Sequence, residues 1–296
     1  MRHPFLSALL LATFAAPAAG QTAPSAPVPA DEETTITVTG NRDVKKTVQD
    51  FVAALAPGRT ARPLSRFERE VCPLVLGMSP QQGEMVAARL RRVAGQVGMK
   101  VGQKGCGPNL FVMVTADKKK LLDGLKRVND EAFGSLSGDK IRALYRQPGA
   151  AVVWHSEGPP IARDGKEATF DEAKGYYINQ TTEAASRLNS GGSRQFASAT
   201  VVVERRALDG LSVTQLADYV ALRAFTGADP VRLKSDKVPT ILTVLDAASD
   251  AEVPASMTDW DLAFLSGFYG MRRGDNIASQ RSSIAREVEK RVTKQP

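Results

Sequence analysis

Residues that could perform chemistry are few in this chain of 296 residues. Histidine occurs only at His3 and His155, and His3 lies in an N-terminal segment that we expect to be removed. A catalytic zinc ion typically needs three protein ligands around an open coordination position, and one histidine beside a paired set of cysteines does not supply them. We therefore expect no metal and no other cofactor. His155 stands at the end of a predicted strand, and we expect it to have a structural role.

Patterns for other catalytic chemistries are incomplete. The chain contains no G-x-S-x-G elbow, no P-loop and no dinucleotide-binding glycine pattern. Ser137 and Lys140 match S-x-x-K, the nucleophile motif of penicillin-interacting serine enzymes, but no Lys-Thr-Gly follows and the same residues are typical of a helix start. The acidic pairs that could act as general acid and base are Asp171 with Glu172 and Asp259 with Asp261. The sequence indicates that the protein is not an enzyme, and a non-zinc hydrolase that uses these groups is the alternative.

The most strongly patterned part of the chain is residues 198–273. A run of strand-forming residues at 200–203 leads into a predicted helix over residues 212–225. A short segment at 239–243 and a second predicted helix over 258–269 follow. The apolar residues of the first helix recur at helical spacing as one stripe, formed by Val213, Leu216, Ala217, Val220, Ala221, Ala224 and Phe225.

This order of elements resembles the metzincin-type zinc peptidases, in which an edge strand, the active-site helix, the Met-turn and a closing helix follow one another. The resemblance makes residues 200–203 the edge strand and puts Leu242 at the methionine of the Met-turn. When the helix is aligned with H-E-x-x-H-x-x-G-x-x-H, Ala217 and Ala221 occupy the first two histidine positions. Asp218 falls at the catalytic glutamate and Gly227 at the third histidine. Every metal ligand of the motif is therefore missing.

The resemblance implies a zincin-like scaffold over residues 65–275 that has lost its catalytic centre. Alanines at 217 and 221 bury methyl groups where an enzyme places imidazoles, and this favours a stable and inert helix. We therefore expect a non-catalytic pseudo-peptidase, a binding protein whose retained cleft holds a peptide or an anionic envelope component. The mature chain, with Val71-Cys72-Pro73 and the Trp-Asp-x-x-Phe-Leu block at 260–265, also resembles uncharacterised exported proteins of sphingomonad-type bacteria. This second resemblance does not point to any particular activity.

Residues 1–20 have the form of a secretory signal peptide. A short basic start precedes an apolar run over 5–16, which is too short to span a membrane, and cleavage is expected between Gly20 and Gln21. No later segment is predicted to be transmembrane, so we expect a periplasmic or secreted protein. In an oxidising compartment Cys72 and Cys106 should form a disulfide, because the alternatives, a reactive thiol or a metal pair, lack supporting residues nearby.

The N-terminal region and the net charge suggest partners. Residues 21–43 are predicted as a disordered linker with an extended segment, and residues 44–296 as a single domain. The segment at 34–42 resembles the opening of the plug in energy-coupled outer-membrane receptors. An alternative function is therefore a structural envelope protein that binds cell-wall or outer-membrane partners. The formal net charge of +7 favours anionic partners such as lipopolysaccharide or phospholipid headgroups, although solubility alone would also explain it, and nucleic acid is not expected in this compartment.

The rest of the chain alternates between helical and extended patterns. The predicted class is therefore mixed α/β (α+β), a mixed sheet with packed helices. Helices are predicted over 44–55, 79–97, 118–128, 137–145, 212–225, 258–269 and 277–292, and strands over 99–101, 109–115, 151–155 and 199–203. Residues 158–195 are predicted as a long loop with some helix, and 238–245 as a strand or turn. The three arginines at 89, 91 and 92 and the three lysines at 118–120 are predicted to face solvent.

Overall fold

One long strand, Gly192–Glu204 (β8), organises the sheet. The computed structural model describes residues 39–56, 58, 63–128, 130–179, 192–233, 238–247 and 251–293. In it, β8 runs parallel to two strands and antiparallel to two others. The chain from Thr39 onward forms one compact unit. The expected mixed α/β class is confirmed, with a central sheet that is mostly parallel.

The described residues contain seven α-helices and eight strands. The helices are α1 (Thr39–Leu55), α2 (Pro80–Gln96), α3 (Lys118–Val128), α4 (Gly138–Leu144), α5 (Val213–Thr226), α6 (Asp259–Tyr269) and α7 (Ile277–Val292). The remaining strands are β1 (Ser65–Arg66), β2 (Pro73–Leu76), β3 (Leu110–Thr115), β4 (Ala151–Glu157), β5 (Ile161–Ala162), β6 (Thr169–Asp171) and β7 (Tyr176–Ile178). Short 3-10 turns lie at Asp130–Phe133, Arg205–Leu208, Pro230–Arg232 and Ile241–Thr243.

The main sheet has the order β2-β3-β8-β4, and β1 and β5 pair with the first part of β8. Residues 200–203, which the metzincin resemblance makes an edge strand, therefore lie in the middle of the sheet, between β3 and β4. That expectation was wrong for a physical reason. Val201, Val202 and Val203 are all fully buried, and such a continuous apolar run is typical of a strand covered on both faces.

Helices cover both faces of this sheet. On one face Val201 and Val203 join the main apolar core, to which α2 and α5 contribute. On the other face Val202 packs with Trp154 in a smaller core under α3 and α4. Helices α6 and α7 pack closely, because a Cβ added at Gly267 would lie only 2.8 Å from the Cα of Ile284. Helix α5 is thus enclosed between the sheet and other helices.

Local patterns predicted α3 and α7 with the bounds that the structure shows. Residues 238–245, expected to be a strand or turn, hold the 3-10 turn Ile241–Thr243. Three predicted segments differ from expectation. Residues 39–42, expected to be extended, begin α1, and residues 99–101, expected to be a strand, hold only an isolated bridge from Val101 to Val71. Residues 158–195 contain short strands and the start of β8, because pairing with distant segments decides strand formation more than local periodicity does. The predicted signal peptide and residues 34–38 lie outside the described residues.

The expected disulfide between Cys72 and Cys106 is confirmed. Cys72 directly precedes β2, Cys106 lies in the turn before β3, and their Cα atoms are 6.0 Å apart. Because it closes a loop of 34 residues, the bond contributes about 3–4 kcal/mol in the chain-entropy account. Within the part of the chain that the structure describes, no helix is both long and apolar enough to cross a bilayer.

Candidate functional site

Helix α5 carries the positions that the metzincin resemblance singles out. It begins with a capping box between Ser212 and Gln215. It ends at Gly227, whose φ of 71° is the left-handed conformation that glycine adopts readily. Every residue from Gln215 to Thr226 is buried. A helix that is buried all round lies within a core.

The alanines at the first two ligand positions are packed into that core. Ala217 and Ala221 are both 0% exposed, and so is Leu242 at the Met-turn position. All three belong to the main apolar cluster. Gly227, at the third ligand position, is partly buried, and a Cβ there would lie 3.6 Å from Cε1 of His155. The three buried positions are therefore closed to any ligand in this structure.

Asp218, at the position of the catalytic glutamate, forms a buried ion pair with Arg89 of α2. Arg89 donates from Nε to Oδ1 at 2.7 Å and from Nη2 to Oδ2 at 2.8 Å. The backbone N–H of Met257 also donates to Oδ2, at 2.8 Å. The Asp218 side chain is 0% exposed and that of Arg89 is 22% exposed. The carboxylate is thus committed to holding α2, α5 and residue 257 together, and it lacks the access that a general base needs.

The expectation that Arg89 faces solvent was therefore wrong. Its partner lies 129 residues away in the chain, and an i, i+3, i+4 pattern within α2 does not report such a contact. Arg92 is exposed, as expected. The spacing within α2 could have revealed the partial burial of Arg89, which lies three residues after the buried Val86 and four before the buried Val93.

The segment at the Met-turn position is held by Asp261 of α6. The Asp261 carboxylate accepts hydrogen bonds from Thr240 Oγ1 at 2.6 Å, from the Ile241 N–H at 2.8 Å and from the Thr258 N–H at 3.0 Å. Burial raises the pKa of Asp261, and the hydrogen bond from Thr240 opposes that change. Asp259, its expected acid–base partner, instead accepts a hydrogen bond from Arg291 at 2.9 Å. This pair of acids therefore joins structural elements and does not converge on one site.

His155 lies in β4 and packs against β8 and the end of α5. Its ring stacks on Phe196 with a centroid distance of 4.1 Å, and Nε2 lies 2.8 Å from the carbonyl oxygen of Ala224. A carbonyl can only accept, so Nε2 must carry the proton. Burial lowers the pKa of His155 to about 4, and the carbonyl contact opposes this only in part. The ring is thus a neutral packing element at neutral pH.

This neutral histidine predicts a loss of stability in mild acid. The pKa is about 4 in the folded state and about 6.5 in the unfolded chain, so the unfolded chain binds the proton first as the pH falls. The contribution is present above pH 6.5 and is lost towards pH 4, which amounts to about 2 kcal/mol between pH 7 and pH 5. Urea unfolding at several pH values checks this. His155→Gln should show a flatter profile over the same range, and an equally steep profile would contradict the assignment.

The remaining candidate groups lie on separate surface elements. Ser137 and Lys140 are both exposed, and Ser137 precedes α4 as its N-cap residue without a side-chain cap hydrogen bond. Asp171 ends β6 in the β6–β7 hairpin, where it lies 3.5 Å from Lys174, and Glu172 beside it is exposed. Among the described residues, none of these four side chains lines a pocket.

A crevice of about 720 Å³ lies at the carboxyl ends of the neighbouring parallel strands β3 and β8. We call it the basic crevice. Its charged lining residues are Asp117, Lys118, Lys119, Arg146, Glu204 and Arg206. They come from the start of α3, the turn after α4 and the end of β8. Sequence reasoning missed the crevice because these segments are far apart in the chain.

Both carboxylates of the basic crevice already have partners. Asp117 accepts hydrogen bonds from the N–H groups of Lys120 and Lys119 at 3.1 and 2.9 Å, and these bonds lower its pKa. Glu204 accepts from Nη2 of Arg206 at 2.8 Å and from the N–H of Lys118 at 3.3 Å. The lining therefore carries four cationic side chains and two carboxylates, and both carboxylates already accept hydrogen bonds within the protein.

Lys118 is the unusual member of this set, because it is only 7% exposed. Its Nζ donates to the carbonyl of Gln147 at 3.0 Å and to that of Gly149. No carboxylate of the described residues lies within 4.0 Å of this ammonium group. The prediction that Lys118 faces solvent was wrong. It lies one helical turn before the buried Leu122, a spacing that could have revealed its burial.

The buried carboxylates do not share a site: Asp218 accepts hydrogen bonds from Arg89, and Asp261 accepts one from Thr240. In the described ranges, no group of three or more His, Cys, Asp or Glu side chains is placed so that it could hold a metal ion. No protein-family model, curated protein or solved structure matches this chain significantly.

Proposed function

We propose that this protein is an exported, non-catalytic binding protein that holds an anion-bearing ligand in the basic crevice. The observation that carries the proposal is the buried ammonium of Lys118, which has carbonyl partners but no carboxylate partner among the described residues. A buried charge without a countercharge is costly. An anion supplied by a ligand would therefore stabilise this end of the sheet.

The rest of the lining points to the same ligand chemistry. Lys119 and Arg146 are exposed cations, and neither is in an ion pair with a carboxylate in the described part of the chain. Clustered cations raise the local concentration of anions, and ammonium and guanidinium groups bind phosphate and carboxylate oxygens by charge-assisted hydrogen bonds. The ligand is accordingly a phosphate-bearing headgroup or another anionic envelope component.

The position of the crevice supports a binding role. In open α/β sheets, ligands bind outside the carboxyl ends of the parallel strands, where the connecting segments separate. Strand β3 turns here into α3 on one face, while β8 turns into the segment that leads to α5 on the other. The strand ends therefore leave an opening between the two helical layers.

The non-catalytic part of the proposal depends on α5. Strand β8, helix α5, the turn at Ile241–Thr243 and helix α6 follow one another, and α5 contacts each of the other three. This order supports a zincin-like scaffold, although β8 lies in the middle of the sheet and not at its edge. Methyl groups occupy its first two ligand positions, and Arg89 neutralises Asp218 at the position of the base. We therefore infer a pseudo-peptidase that acts by binding in the periplasm or outside the cell.

Sedimentation with lipid vesicles tests the proposal. We expect the protein to bind phosphatidylglycerol vesicles but not phosphatidylcholine vesicles, and to lose binding as salt is raised. The double variant Lys119→Gln/Arg146→Gln should bind about tenfold more weakly, because two exposed ion pairs are together worth about 1.4 kcal/mol.

A matched control removes the same charge elsewhere. Lys126→Gln/Arg127→Gln changes two exposed cations at the other end of α3, and its binding should stay at the wild-type level. An equal loss in both double variants would mean that only net charge matters. That result, or the absence of binding to both phosphatidylglycerol vesicles and inorganic phosphate, would overturn the proposal.

A structural envelope role is the second candidate, and the closed packing of Ala217, Ala221 and Leu242 favours it. A protein of this kind would associate with cell-wall or outer-membrane partners through residues 34–42. Deletion of that segment should then abolish co-purification with the envelope fraction, whereas the crevice variant Lys119→Gln/Arg146→Gln should leave it unchanged.

A further inference from the structure

A second, smaller cavity lies on the other side of the turn at residues 145–149. It has a volume of about 150 Å³ and is bounded by the end of this turn, by α5 and by the segments at 229–231 and 246. We call it the Arg223 cavity. Its polar lining side chains are Gln147, Tyr219, Arg223, Asp229 and Asp246. It contains none of the positions that the metzincin resemblance singles out.

Arg223 is a buried cation without an ion-pair partner among the described residues. The residue is 6% exposed. Its Nη1 donates to the hydroxyl of Tyr219 at 3.0 Å, and its Nε is buried and has no hydrogen-bond partner. No carboxylate oxygen of the described residues comes within 4.0 Å of the guanidinium group. An arginine stays protonated even when buried, so its charge needs an anionic partner.

The carboxylates of the cavity limit what that partner can be. Asp246 closes over Gly149, since a Cβ added at Gly149 would lie 2.6 Å from Asp246 Oδ1. Asp229 accepts a hydrogen bond from the N–H of Val231 at 3.3 Å. Two carboxylates in the lining of the same cavity disfavour a doubly charged anion such as phosphate. They would instead attract an ammonium group attached to the same ligand.

The size of the cavity favours a small ligand. One water molecule takes up about 30 Å³ in the liquid, so 150 Å³ accommodates only a few non-hydrogen atoms. A guanidinium group matches the two oxygens of a carboxylate in a planar fork. The small molecules that combine a carboxylate with an ammonium group at this size are the smallest amino acids.

We propose that the Arg223 cavity binds a small zwitterion, a free α-amino acid of the size of glycine or alanine. Arg223 and the Tyr219 hydroxyl hold its carboxylate, and Asp246 holds its ammonium group. Because this cavity shares no cation with the basic crevice, the proposal does not depend on the proposed function.

Isothermal titration of the full chain with four probes tests this proposal. Glycine should bind about tenfold or more tightly than acetate or methylammonium, because only glycine engages both ends of the site, and inorganic phosphate should bind more weakly than glycine. Tryptophan, which exceeds the cavity, should not bind. Equal affinity for glycine and acetate, or no heat of binding with glycine, would overturn the proposal.

Three variants separate the roles of the groups. Arg223→Lys keeps the charge but loses the planar fork, and should weaken glycine binding about tenfold. Asp246→Asn should remove the preference for glycine over acetate, because the ammonium group of glycine loses its carboxylate partner. Asp209→Asn, an exposed carboxylate outside the cavity, is the matched control and should behave as the wild type.

The variant Arg223→Met distinguishes binding from a purely structural arginine. If the cavity binds glycine, glycine should raise the melting temperature of the wild type and leave the melting temperature of Arg223→Met unchanged. If glycine leaves the wild-type melting temperature unchanged while Arg223→Met alone raises it, the guanidinium is only an unpaired buried charge and the proposal is wrong.

Discussion

Replacing Arg89 with methionine should lower the free energy of unfolding by about 4 kcal/mol, because it leaves the carboxylate of Asp218 buried without a countercharge. Among the described residues, only the N–H of Met257 would then remain to hold that carboxylate, which is 0% exposed. For a domain of this size the change corresponds to a fall in melting temperature of about 10 °C. Urea denaturation and thermal unfolding both measure it.

Two further variants test the cause of this loss. Arg92→Met removes an exposed arginine from the same helix and should change stability by no more than about 0.5 kcal/mol. Arg89→Met combined with Asp218→Leu replaces the whole ion pair with apolar groups, and should recover most of the loss. If Arg89→Met costs as little as Arg92→Met, the pair does not hold α2 against α5.

The elements of the fold that local sequence predicts well are those that local interactions determine. The starts of α2 and α5 follow from Ser79 and Ser212, whose side chains accept hydrogen bonds from backbone N–H groups three residues later. The bounds of α7 follow from its amphipathic pattern and from Asn276 as N-cap. Each of these signals lies within one or two helical turns of the element that it specifies.

What local sequence does not determine is which face of an element meets which partner. The pattern in β8 identifies a strand, but its central position depends on pairing with β3 and β4. The helical spacing of Lys118 to Leu122 indicates a buried position, but the two carbonyls that accept from its ammonium group come from the distant turn at residues 147–149. Both the basic crevice and the Arg223 cavity are formed by contacts of this long-range kind, so neither was predicted.

The alanines of α5 show the same limit in the candidate site. Small side chains at two positions one turn apart fit either the floor of an emptied cleft or the close approach of packed elements, and the pattern is identical in both cases. Packing decides between them, because Ala217 and Ala221 are fully buried within the main core. The resemblance singles out this helix, but it does not reveal whether the surroundings of the helix are open.

Introducing histidine at Ala217 and Ala221 together should abolish cooperative folding. Each imidazole would enter a fully packed position, where overpacking costs about 1–3 kcal/mol and an unsatisfied ring nitrogen costs about 1–3 kcal/mol more. The combined loss of at least about 4 kcal/mol approaches or exceeds the stability of many domains. Circular dichroism during thermal unfolding measures the effect.

The matched control is Ala53→His, which places the same side chain at an exposed position of α1 and should cost about 0.5 kcal/mol. The opposite outcome for the double variant is also informative. Two histidines one turn apart on a helix are the start of a zinc site. If Ala217→His/Ala221→His folds with the wild-type melting temperature and binds zinc, the positions line an open cleft, and the closed packing on which the non-catalytic proposal depends is wrong.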